Sequence, residues 1–255
     1  MSSLSTTSAI ILRRIDFGDY DVIVTILTLS QGKISMIAKY AKKSVKRFSG
    51  ILELFSVIQV QGHKARGKGL YVLQEATLQN PFPKIRADIN KTAYASYWSE
   101  LINAWLEEGV QQVQLYYLLH HVLVELELDR IPEDVLSVLF QIKLMSLTGL
   151  NPNLNHCSIC RIKTENIKKN RIFFDLVKGG LVCDKCASGS FKRILLSKGT
   201  IKQLLWLAGK DLAKAKRLRF SSWTLKEGLS FLEAFVPYHL EKEPRSLQFL
   251  RQIRK

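Results

Sequence analysis

The residues with the clearest chemistry are four cysteines, and all of them lie in one segment. Cys157 and Cys160 form one Cys-x-x-Cys pair, and Cys183 and Cys186 form a second pair after 22 intervening residues. Two such pairs about 15–20 residues apart are typical of a four-thiolate zinc site, and a short hairpin accommodates the longer gap. Since zinc with four protein ligands keeps no position open for water, the pattern predicts a structural zinc ion.

Two disulfides or a redox-active dithiol are the alternative interpretations of these cysteines. Structural disulfides require an oxidising compartment. The N-terminal segment has no basic region before its short apolar run at residues 9–12, as a cleavable secretion signal would have. A redox Cys-x-x-Cys pair normally begins a helix in a β-α-β context, which the pattern here does not offer. The sequence therefore favours zinc and a cytoplasmic location.

The charge of the chain indicates a polyanionic partner. The net charge is +16, and it is unevenly distributed along 255 residues. Residues 1–80 carry 11 Lys and Arg against 5 Asp and Glu, residues 81–150 carry 5 against 9, and residues 151–255 carry 22 against 8. Two basic ends around an acidic middle predict contacts with nucleic acid. An acidic membrane surface or an acidic protein is the alternative, although no apolar run reaches the ~18 residues of a membrane span.

The candidate DNA contacts form two basic groups in the first eighty residues. They are Lys33, Lys39, Lys42, Lys43, Lys46 and Arg47, followed by Lys64, Arg66 and Lys68. Tyr40 and Phe48 lie beside the first group and could stack on bases, although Phe48 could equally belong to the core. Glycines at residues 62–69 would let the backbone approach a phosphate. A solvated hairpin tip is the simpler alternative for these basic segments.

A further basic run lies near the C-terminus and has two open interpretations. It consists of Lys210, Lys214, Lys216, Arg217 and Arg219. The run could bind phosphate or could form a solvated loop.

Five short strand patterns precede the helical part of the chain and position the first basic groups. They cover residues 9–15, 22–29, 33–40, 53–61 and 70–78, with glycines between them. Five strands within about eighty residues are typical of an OB-fold, a small barrel that binds single strands through one face and its loops. The fold class is therefore predicted to be α+β, with an OB-fold domain at residues 1–80.

A helical domain is predicted over residues 81–255, with the zinc-binding element inserted at about 154–190. Apolar residues at helical spacing predict helices near 94–106, 112–128, 132–147, 201–208 and 225–236. The third is apolar on nearly all sides and should be buried centrally. A hairpin is predicted at residues 171–182, with its turn at Gly179-Gly180. His120 and His121 lie within a helix with no motif that pairs them with a nucleophile, so we expect them to pack, not to catalyse.

Four stretches in order carry a resemblance to a known family. They are residues 11–21 with their ILRR and DFGDYD runs, residues 32–43 with GK and AKYAKK, residues 149–160 with GLNP before the first cysteine pair, and Arg245-Ser246-Leu247 with Leu250. In this order and spacing the chain resembles the bacterial RecO family of recombination mediators. The resemblance implies an N-terminal OB-fold, a helical domain, a zinc element and no catalysis. By position, the basic group from Lys33 to Arg47 matches the basic part of the family's barrel.

The resemblance also implies partners. It implies binding to single- and double-stranded DNA and annealing of complementary strands. It further implies that the protein works with RecR to load RecA onto DNA coated by single-strand-binding protein, whose C-terminal tail contacts the helical domain. The location implied is cytoplasmic and nucleoid-associated, with no membrane partner.

Two other functions are weighed against this one. A zinc-ribbon protein that binds RNA or takes part in transcription would share the cysteines and the charge. A nuclease or nucleotide hydrolase is disfavoured, because the sequence lacks a clustered set of carboxylates for Mg²⁺ and a phosphate-binding P-loop.

Overall fold

The computed structural model describes residues 3–44, 47–65, 70–187, 192–209, 212 and 220–254. The chain divides into two compact units, of which one is Met1–Leu128 with Pro244–Lys255 and the other is Asp129–Glu243. Among the described residues, the first unit contains a β-barrel and four α-helices, and the second contains the four cysteines, three α-helices and a small sheet. Within the part of the chain that is described, no helix combines the length and apolarity that crossing a membrane requires.

The first five strands close into a barrel. They are β1 (Ser3–Phe17), β2 (Asp21–Thr28), β3 (Gly32–Ala38), β4 (Val57–Lys64) and β5 (Tyr71–Asn80). The order around the barrel is β1-β2-β3-β5-β4, and β4 pairs with β1 to close it. The neighbours are antiparallel except β3 and β5, which run parallel. This is the five-stranded OB-type barrel that the sequence predicts.

Alternating side chains fill the barrel. Val22, Val24 and Ile26 of β2 are buried in the core, while the residues between them are partly exposed. Gly62 on β4 is buried too, and a Cβ there would lie 2.4 Å from the carbonyl oxygen of Val72 on β5. This glycine therefore permits close approach of two strands, which is a different role from the expected approach to a phosphate.

The position of Phe48 decides between core packing and base stacking, which the sequence left open for this residue. Its side chain is only 4% exposed and belongs to the barrel core. Burial of this kind excludes the ring from stacking on a base, so the core interpretation holds for Phe48.

Four helices accompany the barrel in the first unit. They are α1 (Pro83–Ala87), α2 (Ile89–Trp105), α3 (Val113–Glu127) and, after the second unit, α7 (Arg245–Ile253). Glu100 of α2 accepts hydrogen bonds from the backbone N–H groups of Arg245 (3.2 Å) and Ser246 (2.9 Å). These N–H groups begin α7 and have no partner within the helix, so a carboxylate from a distant segment satisfies them and favours the helix dipole.

The second unit is built around a buried helix. Its elements are α4 (Glu133–Leu147), β6 (Arg171–Asp175), β7 (Gly180–Val182), β8 (Arg193–Ser197), α5 (Lys198–Gly209) and α6 (Ser222–Leu240). Ten of the fifteen residues of α4 are buried, which confirms the prediction that this helix is central.

The hairpin of the second unit turns where the sequence predicts. Gly179 has φ +62° between β6 and β7, and β8 adds a third strand on the other edge of β6. The sheet packs on α6 through Phe174, whose ring centroid lies 4.8 Å from that of Phe231 and 5.5 Å from that of Phe235.

Candidate metal centre and nucleic-acid interface

The four cysteines converge on one point. All four sulfur atoms lie within 4.8 Å of one another, and Sγ of Cys160 is 3.6 Å from Sγ of Cys183. Four sulfurs placed ~2.3 Å from a tetrahedral zinc ion would be about 3.8 Å apart. None of the four is joined to another in a disulfide. Their arrangement therefore fits a metal ion, as the spacing of the two pairs predicts.

Backbone hydrogen bonds hold the first cysteine pair in place. The N–H of Cys157 donates to the carbonyl of Ile162 (2.9 Å), which closes a tight turn around Cys160. The N–H of Ser158 then donates to the carbonyl of Leu181 on β7 (2.7 Å). This bond joins the first pair to the hairpin whose end carries Cys183, so the hairpin sets the distance between the two pairs.

The thiols differ in how readily they ionise. Burial opposes ionisation of Cys157, but hydrogen bonds from the backbone N–H groups of Cys183, Cys160 and Ile159 outweigh it and lower the pKa of Cys157 to about 6. Hydrogen bonding with Cys183 and Cys160 raises the pKa of Cys186 to about 12. Protons held by such a cluster are displaced when a cation binds, because metal ligands must be thiolates.

The register of the strands shows at which end of the barrel each basic segment lies. Phe17, which ends β1, pairs with Asp21, which begins β2, and Ala38 ends β3 beside them. Tyr71 begins β5 between β3 and β4, and its partner on β4 is Lys64. Since β3 and β5 are parallel, the turn that leads into β5 lies toward the opposite end of the barrel, where Oη of Tyr71 donates to a side chain of the turn between β2 and β3 (3.3 Å). The segment that follows β3 lies instead beside the turn between β1 and β2, and this is the basic end of the barrel.

Three lysines after β3 are exposed at this end. Nζ of Lys39 lies 2.7 Å from a carboxylate oxygen of Asp21, and Nζ of Lys42 lies 3.3 Å from Asp16. Nζ of Lys43 lies 3.6 Å from the centre of the Tyr20 ring. The hydrogen bond from Lys39 and that from the N–H of Tyr40 lower the pKa of Asp21.

Two other predicted contacts have identified neighbours. Nε of Arg47 donates to the carbonyl of Gln74 on β5 (3.1 Å), and its guanidinium lies over the Phe48 ring, so this side chain braces the barrel. Nζ of Lys64 lies 6.0 Å from the ring centre of Tyr71 and the residue is exposed.

Several predicted contacts fall outside the described residues. They are Lys46, Arg66 and Lys68 of the barrel, and Lys210, Lys214, Lys216, Arg217 and Arg219 of the later basic run.

Lys33 is not brought together with the other lysines. It lies near the beginning of β3, at the opposite end of that strand from Lys39. Its Nζ donates to the carbonyl of Asn103 on α2 (2.7 Å), and its own carbonyl accepts from the N–H of Gly109 (2.9 Å). The ammonium group thus joins the barrel to α2, and the backbone carbonyl joins it to the loop that follows α2.

Three aromatic side chains lie near the exposed lysines, and the sequence predicts a stacking role for only one of these rings, that of Tyr40. Tyr40 is 65% exposed, and its ring lies beside that of Tyr20, with centroids 6.3 Å apart and planes inclined by 19°. Phe17 is 52% exposed in the same cleft. Phe17 and Tyr20 lie on either side of Gly18 in the turn between β1 and β2, and this position is the sequence signal that could have identified them.

The two histidines considered for catalysis lie on α3. The His120 ring stacks on that of Tyr116, with centroids 6.1 Å apart, and meets Phe82 edge-on. Burial lowers the pKa of His120. These contacts are those of a packing residue within an aromatic cluster.

Comparison with known proteins identifies the family. The model described as Recombination protein O N terminal matches residues 1–82, and the model described as Recombination protein O C terminal matches residues 86–248. The chain belongs to the RecO family.

Relatives named DNA repair protein RecO agree with this assignment over nearly the whole chain. The protein from Desulfatibacillum aliphaticivorans is 44% identical over 251 residues, which cover 98% of this chain and 97% of the relative. The protein from Desulfosudis oleivorans is 42% identical over 254 residues, with 98% of each chain covered. The protein from Syntrophus aciditrophicus is 33% identical over 251 residues, with 98% and 96% covered.

Membership of the RecO family makes this chain a DNA repair protein and confirms the resemblance found in the sequence. A zinc-ribbon protein of RNA binding or transcription is not favoured by these matches.

Proposed function

We propose that the chain is a non-enzymatic, DNA-binding mediator of recombinational repair, and that the basic end of its barrel binds the sugar-phosphate backbone. The observation that supports this most is the clustering of Lys39, Lys42 and Lys43 at the end of an OB-type barrel, beside the loop between β1 and β2. Loops of this fold commonly bind oligonucleotides. The proposed functional division is residues 1–80 as the DNA-binding domain and residues 81–255 as the helical domain with its metal element at about 154–190, a different division from that of the two compact units.

The physical basis is neutralisation of phosphates. Exposed ion pairs such as those of Lys39 with Asp21 and Lys42 with Asp16 contribute only ~0–1 kcal/mol, so a phosphate competes readily for these lysines. Binding then releases condensed counterions from the DNA, which supplies most of the affinity. Complementary strands whose charge is neutralised can approach and pair, and this is the basis of strand annealing.

The proposed surface is wider than these three lysines. Arg47 adds its charge to this surface while its guanidinium also bonds to the barrel, and Lys46, which lies outside the described residues, is proposed to belong to it. Lys64, with Arg66 and Lys68 outside the described residues, is proposed to contact phosphates toward the other end of the barrel. Lys33 does not belong to the proposed surface, because its ammonium group is bound to the carbonyl of Asn103.

The metal held by the four cysteines is proposed to be zinc in a structural role. Four thiolates favour zinc over harder cations, and they would complete its tetrahedron without leaving a position for water. The thiolates of Cys157, Cys160, Cys183 and Cys186 would then fix the hairpin of the second unit.

The partners proposed are those of recombinational repair. They are single- and double-stranded DNA, RecR, and the acidic C-terminal tail of single-strand-binding protein, with RecA loaded as a result. The protein would act in the cytoplasm, in association with the nucleoid. The basis for these partners is the family, since residues that bind RecR or the tail carry no short motif in this sequence.

A strand-annealing assay tests the proposal. The variant K39Q/K42Q/K43Q should anneal complementary strands coated with single-strand-binding protein at least several-fold more slowly than the wild type, because three phosphate contacts are removed. The matched control is K202Q/K226Q/K242Q, which removes the same charge from exposed positions on or just after α5 and α6. Circular dichroism should show that both variants fold.

Equal annealing rates for the two triple variants would contradict a barrel-based DNA site. Failure of the wild type to anneal at all, with or without RecR, would contradict the mediator function itself. RecA loading is measured in the same mixture by the delay before its ATPase activity begins.

A further inference from the structure

We infer that Tyr40 and Tyr20 form a base-stacking site that gives the basic end of the barrel a preference for single-stranded over double-stranded nucleic acid. This inference rests on the proposed function and names the ligand of the same surface more closely. Tyr40 is 65% exposed and Tyr20 is 40% exposed. The two rings are neighbours, so together they form one contiguous aromatic surface.

The two rings form one side of a defined cleft. The cleft has a volume of about 380 Å³ and is lined by residues from the turn between β1 and β2 and from the segment after β3. The Tyr20 and Tyr40 rings are inclined by only 19°, so they present nearly parallel planes. A volume of this size falls within the usual range of small-ligand sites, ~300–1,000 Å³, and suits a flat group.

Asp21 fixes the position of Tyr40. One carboxylate oxygen accepts from the N–H of Tyr40 (2.8 Å), and the other accepts from Nζ of Lys39 (2.7 Å). Tyr40 has φ +56°, a left-handed conformation that a residue with a side chain rarely adopts. The N–H of Lys42 donates to the carbonyl of Tyr20 (2.9 Å), which ties the two segments together. The ring is therefore held at the surface by its surroundings, in a conformation that glycine would adopt more readily.

Cations lie beside the rings together with two carboxylates, Asp19 and Asp21, of which Asp21 is paired with Lys39. Nζ of Lys43 lies 3.6 Å from the centre of the Tyr20 ring, and Lys39 lines the cleft. A base stacked on an aromatic ring places its own phosphate within reach of a neighbouring lysine. Alternation of rings and cations along a surface is the recurring arrangement of proteins that bind single strands.

Stacking on protein rings distinguishes single strands from duplexes. The bases of a duplex are stacked on one another and expose only their edges, whereas those of a single strand offer their faces. The lysines contact phosphates that both forms possess. Removing the ring of Tyr40 should therefore weaken binding to single strands alone.

The test compares Tyr40→Gly with Tyr40→Trp. Glycine removes the ring and suits the left-handed backbone, so Tyr40→Gly should fold at least as well as the wild type. Its affinity for oligo(dT) should fall by about 5- to 150-fold, the effect of losing one stacked base, while its affinity for a duplex of equal length changes less than about twofold. The salt dependence of binding should keep its slope, because no cation is removed. Tyr40→Trp should retain the affinity, and its indole fluorescence should be quenched by oligo(dT) and not by duplex.

The outcomes separate this inference from the proposed function. If the wild type binds neither form of DNA at low salt, the proposed function fails. If the wild type binds and Tyr40→Gly binds oligo(dT) equally well, the stacking site alone is refuted. An equal loss for single strands and duplexes would show that the ring supports the basic surface instead of stacking. Loss of binding to an acidic peptide, with oligo(dT) binding unchanged, would assign the rings to a protein partner and also overturn the inference.

Discussion

Glu227 connects three elements of the second unit, and its charge should be needed for the stability of that unit. The side chain on α6 is 9% exposed and accepts hydrogen bonds from Ser197, through the N–H (2.9 Å) and through Oγ (2.7 Å), and from Oγ1 of Thr200. Nη2 of Arg171 on β6 lies 3.2 Å away. One carboxylate thus satisfies donors at the beginning of α5 and holds the sheet against α6.

Glu227→Gln keeps the shape of the side chain and removes its charge. Hydrogen bonds to a charged group contribute more to stability than hydrogen bonds between neutral groups. In the variant, the N–H₂ of the glutamine amide also replaces one accepting oxygen, so it must face a hydrogen-bond donor. We expect the free energy of unfolding to fall by about 1–3 kcal/mol near neutral pH. Urea unfolding measures this loss. Glu165→Gln, which removes the same charge from an exposed site in the same unit, is the control and should change stability by less than about 0.5 kcal/mol.

The effect of Glu227→Gln should depend on pH. Burial opposes ionisation of Glu227, but the bonds from Thr200 and Ser197 and the charge of Arg171 outweigh it and lower its pKa. A group with a lowered folded pKa stabilises the protein above its unfolded pKa, about 4.3, and this contribution is lost as the pH falls through the folded value. The difference between wild type and variant should therefore be constant near neutrality and shrink below about pH 4. A difference that is absent at pH 7, or that grows in acid, would refute the assignment.

Two further substitutions test the metal centre and the barrel. Cys183→Ser should lower the zinc content from about one ion per chain towards zero and should loosen the second unit, while the barrel keeps its hydrogen-exchange protection. Wild-type protein that contains no metal would contradict this, and so would a variant whose melting temperature is unchanged. Gly32→Ala should destabilise the first unit by more than ~1 kcal/mol, because φ is +69° and a Cβ would lie 1.8 Å from the carbonyl oxygen of Val110. Gly50→Ala is the control, because it has the same backbone strain (φ +68°) but open space around the added Cβ. The difference in thermal unfolding between the two variants therefore measures the contribution of the clash.

Local patterns in the sequence predict the barrel and the metal centre well, because the determining signals are close together in the chain. The alternation of buried and partly exposed residues in β2, and the glycines between strands, are enough to predict that the first five strands exist. Each cysteine pair is a short motif, and the hairpin that joins the pairs turns at Gly179 as expected.

Elements that depend on distant partners could not be predicted in this way. The helix that begins at Arg245 was missed, since the carboxylate that caps it is Glu100, 145 residues earlier in the chain. The strand β8 was missed as well, because its short apolar run pairs with β6, which lies about twenty residues earlier in the chain.

The location of the lysines shows the same limit. A basic run in the sequence does not show which ammonium groups lie at an exposed surface and which are bonded within the fold. Lys33 and Lys39 stand close together in the chain, yet Lys33 is bound to the carbonyl of Asn103 and Lys39 lies exposed at the other end of their strand. The stacking of Tyr20 on Tyr40 requires the register of the barrel and is not visible in either segment alone.

The salt dependence of single-strand binding tests the central claim most directly. A plot of log affinity for oligo(dT) against log salt concentration should be linear for the wild type, with a slope of about −0.7 for each phosphate neutralised. The variant K39Q/K42Q/K43Q should give a slope shallower by up to about 2 and a lower affinity at low salt, while K202Q/K226Q/K242Q leaves the slope unchanged. An affinity that does not vary with salt, or equal slopes for the wild type and the barrel variant, would contradict phosphate binding at the basic end of the barrel.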